Sequence, residues 1–359
     1  MTDFSDQPSA VREGQALDVA RLVPWLRANV RGADGDVVVE QFGRGFSNLT
    51  YLLRVGAREL VLRRAPPGVK IKSAHDMGRE HRILSGLARV WDKSPKPIAR
   101  CDDETLIGTP FYVMERVRGV ILRKSLPSGL VPDAATMKRL SESLIDTLAE
   151  IHATDLAAAG LADLGKPEGY VERQITGWAE RYEKAKTDVV PDFDEVRRWL
   201  VANRPADSKG TLIHNDFKYD NVVLDEPLER VVSVLDWEMA TVGDPLMDLG
   251  TTLGYWIEAD DPPVFQVMTF GPTHLPGSLR RTELVRRYAR ATGRDVTNVL
   301  FYFVYALFKL AVVGQQLYKR YNDGLTAEPR YAAMGEGVKA IAAAARVAIE
   351  KGRIDRLAE

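Results

Sequence analysis

The run His214-Asn215-Asp216-Phe217-Lys218-Tyr219-Asp220-Asn221 has the form H-x-D-x-x-x-x-N, and a further aspartate, Asp236, stands fifteen residues after Asn221. Between them lie two short apolar runs, Val222-Val223-Leu224 and Val231-Val232-Ser233-Val234-Leu235, separated by Asp225-Glu226-Pro227. Apolar, β-branched runs either side of a turn cluster predict a β-hairpin, and a hairpin returns Asn221 and Asp236 to one place. Asp216 can accept a hydroxyl proton. The Asn221 amide oxygen and the Asp236 carboxylate are hard oxygen donors of the kind Mg²⁺ takes. This spacing suits a loop that holds a hydroxyl against a nucleotide γ-phosphate with divalent cations beside it. An isolated H-x-D-x-x-x-x-N arises by chance in many chains; the hairpin and the second aspartate set this one apart.

The rest of the chain bounds the setting. At 359 residues it exceeds one typical domain, so two lobes are expected. A hydrophobic content of 45% with 28% charged residues describes an ordinary soluble globular protein. The net charge of −1 provides no field favouring nucleic acid or an anionic membrane. A single cysteine, Cys101, excludes an intramolecular disulfide or a cysteine zinc site and fits a reducing compartment, so a cytoplasmic location is expected. Residues 1–14 lack the basic and apolar regions of a secretory signal. The most membrane-like stretch, 299–313, is interrupted by Lys309 after ten apolar residues and reads as a buried core helix.

Strand patterns cover 37–42, 50–55, 59–64 and 111–116, with a Gly-containing turn at 43–48 and a helix over roughly 74–88. From about residue 118 helical periodicity dominates, over 133–152, 170–185, 192–202, 281–292, 296–321 and 330–357. The expected architecture is α+β: a small β-rich lobe over residues 1–117, including a loose N-terminal tail, and a larger helical lobe over 118–359.

These motifs resemble the aminoglycoside phosphotransferase and choline kinase-like family, in particular the branch that includes kinase-like domains attached to some acyl-CoA dehydrogenases. The resemblance runs over roughly residues 36–320. It is carried by Gly43-Arg44-Gly45-Phe46-Ser47-Asn48, Leu60-Val61-Leu62-Arg63-Arg64, Arg79-Glu80, Phe111-Tyr112-Val113-Met114-Glu115, the 214–221 loop, Leu235-Asp236-Trp237-Glu238 and Gly243-Asp244-Pro245-Leu246-Met247-Asp248-Leu249. It implies a protein-kinase-like two-lobed fold and a Mg²⁺-dependent kinase that moves the γ-phosphoryl of ATP or GTP to a small-molecule hydroxyl. Asp216 is then the base, and Asn221 and Asp236 are the metal ligands. Lys218 offsets charge on the transferred phosphoryl, and Gly45, Ser47 and Asn48 cover the phosphates.

Arg63 stands where the family usually has lysine, and strand alternation turns it inward and Arg64 outward. Glu80 is the expected partner of Arg63. Backbone groups of Glu115 to Val117 are expected at the purine edge. Asp248 is expected to support the loop through its backbone, and Asp244 to cap the next helix with Pro245 behind it. His214 reads as structural, and Glu238 as a possible further carboxylate for the metal.

The acceptor is less legible. Twelve Lys and Arg between Arg54 and Arg100 face four acids, which suggests either a solvated basic face or docking of an anionic hydroxy compound, hydroxyacyl or otherwise. A polycationic aminoglycoside needs an acidic pocket instead, for which Glu258, Asp260 and Asp261 are the available acids. A nucleotide-binding module without transfer is the other alternative. A protein kinase fits less well, because Trp237-Glu238 stands in place of Phe-Gly. The expected partners are a nucleotide and a small molecule, without nucleic acid or membrane.

Overall fold

The computed structural model describes residues 4–43, 48–66, 76–267, 269–326 and 329–358. In chain order the elements are α1 (Val19–Asn29), β1 (Val37–Gln41), β2 (Leu49–Val55), β3 (Arg58–Arg64), α2 (Met77–Leu87), β4 (Pro97–Cys101), α3 (Glu104–Ile107), β5 (Phe111–Glu115), α4 (Ala134–His152), α5 (Tyr170–Ala185) and α6 (Pro191–Ala202). There follow β6 (Thr211–Ile213), β7 (Val222–Leu224), β8 (Val231–Val234), β9 (Thr241–Gly243), α7 (Pro245–Tyr255), α8 (Pro263–Val267), α9 (Arg281–Thr292), α10 (Val299–Asn322) and α11 (Met334–Lys351). They form two compact units. One comprises Met1–Ile121, Asp155–Ala162 and Asn221–Ala240, and the other comprises Leu122–Thr154, Asp163–Asp220 and Thr241–Glu359. Residues 155–162 and 221–240, which the expected division at 117/118 assigns to the second lobe, thus pack with the first unit.

The first unit is built on an antiparallel sheet ordered β1-β2-β3-β5-β4. Alternation along β2 and β3 sends Tyr51, Leu53, Leu60 and Leu62 into a core shared with Leu22 and Leu26 of α1. Helix α2 packs against β4 and β5. It starts at Asp76, whose carboxylate accepts from Arg79 N. Strand β4 lies outside the strand patterns read from the sequence. It is an edge strand that opens on a proline and is mostly half-exposed, so it lacks a clean alternation to detect.

The 222–234 hairpin forms as expected, with Val222 opposite Val234 and Val223 opposite Ser233. Leu235 N donates to Asn221 O at 2.8 Å, which brings the backbones on either side of the hairpin together. Its far strand edge is tied to the chain leaving β5 by Val120 N to Leu224 O at 2.9 Å and Leu224 N to Val120 O at 2.8 Å. Gly119 makes this approach possible. Its φ is 152°, and a Cβ there would sit 2.2 Å from Leu224 O.

In the second unit α10 is packed by α5, α6, α7 and α11. It is long and apolar enough to cross a membrane by length and composition, yet most of it is buried inside the protein, as the sequence suggested. Helix α7 lies close against α10 because Gly250 lacks a side chain: a Cβ there would fall 2.4 Å from Tyr302 O. Strands β6 and β9 pair antiparallel, Thr211 with Gly243 and Ile213 with Thr241. That pairing places Ile213, and the loop that begins at His214, beside the start of β9, and α7, which follows β9, packs against β6. Asp244 caps α7 by accepting from Leu246 N at 2.8 Å, with Pro245 in the first turn.

Candidate active site

The loop after β6 is held from beneath by Asp248. Its Oδ2 accepts from His214 N at 2.6 Å and its Oδ1 from Asn215 N at 2.7 Å. Asp248 has no exposed surface. Burial works against its charge, but His152 and the backbone of His214 outweigh that and hold the carboxyl below the usual range. His152, from the last turn of α4, lies 3.1 Å from Asp248 Oδ2 through Nε2 and 2.6 Å from the Tyr288 hydroxyl through Nδ1. His214 plays the expected structural part, its Nδ1 accepting from Asp216 N at 3.2 Å. Asn215 takes a left-handed φ of 65°, a conformation asparagine tolerates better than most residues.

Asp216 is reached by three groups of the same unit. Tyr255, at the end of α7, donates to Oδ1 at 2.7 Å, and the Lys218 ammonium forms a close ion pair with Oδ2. Burial pushes the Asp216 carboxyl up, yet Lys218, Tyr255 and the more distant Lys309 more than offset it, so it lies below the usual carboxylate range. Lys218 also lies 4.7 Å from the Tyr255 ring centroid, a cation–π distance. A small cleft opens here, lined by Lys218, Tyr219, Thr252, Tyr255, Trp256 and Gly271. The group can hold an ionised carboxylate ready to accept a proton beside a cation.

The described candidates for nucleotide and metal binding lie in the first unit. Arg63 and Arg64 point to opposite faces of the sheet, as alternation requires. Arg64 donates to Ile107 O at 2.8 Å and Gln15 O at 3.1 Å, on the α1 side. Arg63 is 3.3 Å from Glu80 through Nη1, and through Nη2 it is 2.8 Å from Asp236 and 3.5 Å from Glu238. The Glu80 pair is the one expected from the sequence. Glu80 is 1% exposed, and burial raises its carboxyl despite the Arg63 cation. Asn48 donates to Glu238 Oε2, so the end of the glycine-containing turn is tied to the segment after the hairpin. Arg79 braces that segment from α2, donating to Glu238 O at 3.1 Å and Ala240 O at 2.6 Å.

Gly45 and Ser47 lie outside the described residues. Glu115 is exposed, and its N–H donates to Lys96 O at 2.9 Å, while Val117 is half-buried just beyond β5. Met114 and Phe111 are buried.

The donor set fits a hard divalent cation. Asn221 offers an amide oxygen and Asp236 a carboxylate whose side chain is 31% exposed. The carboxylates of Glu80, Asp236 and Glu238 all face the single guanidinium of Arg63. Among the described residues no group of three or more His, Cys, Asp or Glu could hold a metal by itself. A hard cation such as Mg²⁺ needs only one or two protein oxygens, because phosphates and water complete its shell.

Sequence reasoning missed His152, Tyr170, Tyr255 and the role of Lys309. The one visible signal was Lys309 itself, a charge inside an apolar helix. It lies 94 residues after Asn215, whose carbonyl it meets at 2.9 Å. The acids Glu258, Asp260 and Asp261 do not form an open acidic pocket. Asp261 pairs with the buried Arg281, Glu258 accepts from Arg281 N, and Asp260 pairs with Arg280 at 2.8 Å. Much of the basic stretch is likewise engaged: Arg54 pairs with Glu40 and Glu59, Arg89 with Ala159 O, and Arg100 with Asp102.

Comparison with known proteins agrees with this geometry. Residues 38–293 match the family model described as the phosphotransferase enzyme family, APH. The acyl-CoA dehydrogenase family member 11 of Rattus norvegicus is 34% identical over 320 residues, covering 86% of this chain and 40% of that protein. The chain therefore spans less than half the length of the curated relatives it matches at this level. A candidate aminoglycoside phosphotransferase of Ralstonia eutropha JMP134 superposes with a TM-score of 0.80 at 30% identity, covering 94% of this chain and 99% of that one. A thermostable variant of the aminoglycoside phosphotransferase APH(4)-Ia, solved with AMP-PNP and hygromycin B, shares the fold at a TM-score of 0.56 and 17% identity, over 89% and 97% of the two chains. With the family pattern running from β1 to the end of α9 and its loop, hairpin and α7 motifs seated as described, the chain belongs to the phosphotransferase enzyme family.

Proposed function

We propose that the protein is a cytoplasmic, Mg²⁺-dependent kinase that transfers the γ-phosphoryl of ATP or GTP to the hydroxyl of a small anionic molecule, of which a hydroxyacyl compound is one example. The observation that carries this reading is Asp216, held ionised at the head of a loop whose backbone Asp248 clamps. Asp216 orients the acceptor hydroxyl and takes its proton as the oxygen bonds to the γ-phosphorus and the bond to the leaving nucleoside diphosphate breaks. Lys218 offsets charge on the transferred phosphoryl. Arg63 grips the nucleotide phosphates, with Glu80 holding its guanidinium, and Asn48 belongs to the turn that covers them together with Gly45 and Ser47. Since the Glu115 N–H is taken by Lys96 O, the purine edge falls to the Glu115 carbonyl and to Val117. Mg²⁺, held by Asn221 and Asp236, would supply charge neutralisation at the phosphates.

An anionic acceptor is preferred to a polycationic aminoglycoside for two reasons. Cations stand near Asp216 in the second unit, and the acids of the 258–261 turn are paired with Arg280 and Arg281. The acyl-CoA dehydrogenase relatives point the same way, towards acyl chemistry.

The test is Asp216→Asn. Loss of a positioned base is expected to lower turnover by about 10²- to 10⁴-fold, while Mg·ATP binding, read by thermal shift, stays close to that of the wild type. Full turnover in Asp216→Asn would remove the base assignment. Ordinary efficiency on kanamycin-type sugars would remove the anionic acceptor. Nucleotide binding without turnover on any alcohol would leave a binding module.

A further inference from the structure

Lys309 sits in the middle of α10, among apolar neighbours, and is only 8% exposed. A buried ammonium there is unfavourable unless something specific compensates it. Its Nζ donates to the main-chain carbonyl of Asn215 at 2.9 Å. Asn215 directly precedes Asp216 and has a left-handed φ of 65°. Asp248 accepts its N–H at 2.7 Å, and its side-chain oxygen accepts from the Tyr170 hydroxyl at 3.2 Å. The next N–H, that of Asp216, donates to His214 Nδ1 at 3.2 Å. The peptide between Asn215 and Asp216 is therefore held at its carbonyl by Lys309 and at its N–H by the His214 ring. Because a peptide group is planar, holding both edges fixes its rotation, and with it the direction in which Asp216 leaves the backbone.

Several charged groups act on this ammonium. Asp216 in the loop and Asp248 on α7 favour its charge, while Lys218 in the loop and Arg181 on α5 oppose it. Trp178, also on α5, places its ring 5.8 Å from Lys309 Nζ. Burial holds Lys309 below the usual lysine range, and the two carboxylates offset only part of that.

We infer that Lys309 is a positioning residue for phosphoryl transfer, orienting the Asn215–Asp216 peptide and adding positive charge to the surroundings of the Asp216 carboxylate. This role rests on the reading of Asp216 as the base. It explains why a lysine follows ten apolar residues in the middle of α10.

Two variants separate the hydrogen bond from the charge. Lys309→Met removes both, and Lys309→Gln keeps a donor without charge. Mg·ATP turnover with water as acceptor gives kcat and KM. Carbon-13 NMR of aspartate-labelled protein, with the Asp216 signal identified by its loss in Asp216→Asn, follows the carboxyl titration independently of activity. In Lys309→Met, kcat is expected to fall roughly tenfold or more, with the KM for ATP little changed and the Asp216 titration moved to higher pH. Lys309→Gln is expected to recover part of kcat while the titration stays shifted. A folded Lys309→Met with kcat close to that of the wild type, or with an unmoved Asp216 titration, would overturn the inference. If Lys309→Met does not fold, the same titration criterion applies to Lys309→Gln. Full turnover in Asp216→Asn fails the base reading instead, and the titration shift still reports whether Lys309 acts on Asp216.

Discussion

The Tyr255 hydroxyl donates to Asp216 Oδ1 at 2.7 Å, across 39 residues of sequence. A hydrogen bond from a phenol to a carboxylate stabilises the ionised form, so it helps hold the Asp216 carboxyl below its ordinary range. With the two oxygens of Asp216 engaged by Tyr255 and Lys218, the carboxylate has little rotational freedom.

Tyr255→Phe should therefore move the acid limb of the turnover profile. Removing a donor from the ionised form raises the Asp216 pKa, so activity should begin to fail at a higher pH. A hydrogen bond to a charged group contributes about 1.5–3 kcal/mol, which corresponds to a displacement of roughly one to two pH units. The measurement is kcat against pH for Mg·ATP hydrolysis in wild type and variant; superimposable acid limbs would contradict the prediction.

Arg63 is the cation of a buried cluster, so removing it should cost stability as well as nucleotide grip. Arg63→Met leaves Glu80, which is 1% exposed, without its counter-charge. Breaking a buried pair in this way costs about 3–5 kcal/mol. Urea unfolding should show a lower midpoint for Arg63→Met and partial recovery in Arg63→Met with Glu80→Gln, because the second change removes the stranded carboxylate. A double variant no more stable than the single one would show that Glu80 is not the group left uncompensated.

Acid should weaken the loop support through Asp248. Its folded carboxyl lies below the unfolded value near 3.9. The stabilisation from its ionised form is therefore complete above about pH 5 and lost as pH falls through the folded value. Asp248→Asn keeps the shape but replaces one acceptor oxygen by a donor facing a backbone N–H. It should lower stability at pH 7 by about 3 kcal/mol and lose less than the wild type between pH 7 and pH 3. Parallel losses in the two proteins, followed by chemical unfolding at each pH, would place the acid sensitivity elsewhere.

Much of the fold and of the candidate site is legible in local patterns. The period-two runs of β2 and β3 reveal the sheet and also decide that Arg63 and Arg64 face opposite ways. The spacing from Asp216 to Asn221, and the hairpin leading to Asp236, are short-range features that chain geometry alone can bring together. Strand β4 escapes because an edge strand beginning at Pro97 and mostly half-exposed carries no clean alternation.

Local sequence settles the chemistry on offer: a carboxylate in a tight loop, an amide and a carboxylate joined by a hairpin, and an arginine with a glutamate to answer it. Each of these rests on spacing, strand alternation or motif resemblance that can be read along the chain. How the carboxylate is held depends on the folded chain. His152, Tyr170, Tyr255 and Lys309 come from four different helices, and their arrival at one loop follows from the packing of α4 and α7 against β6 and of α5 and α7 against α10. The contact of Lys309 with Asn215 depends on how several helix faces pack at once. No window of sequence contains that arrangement.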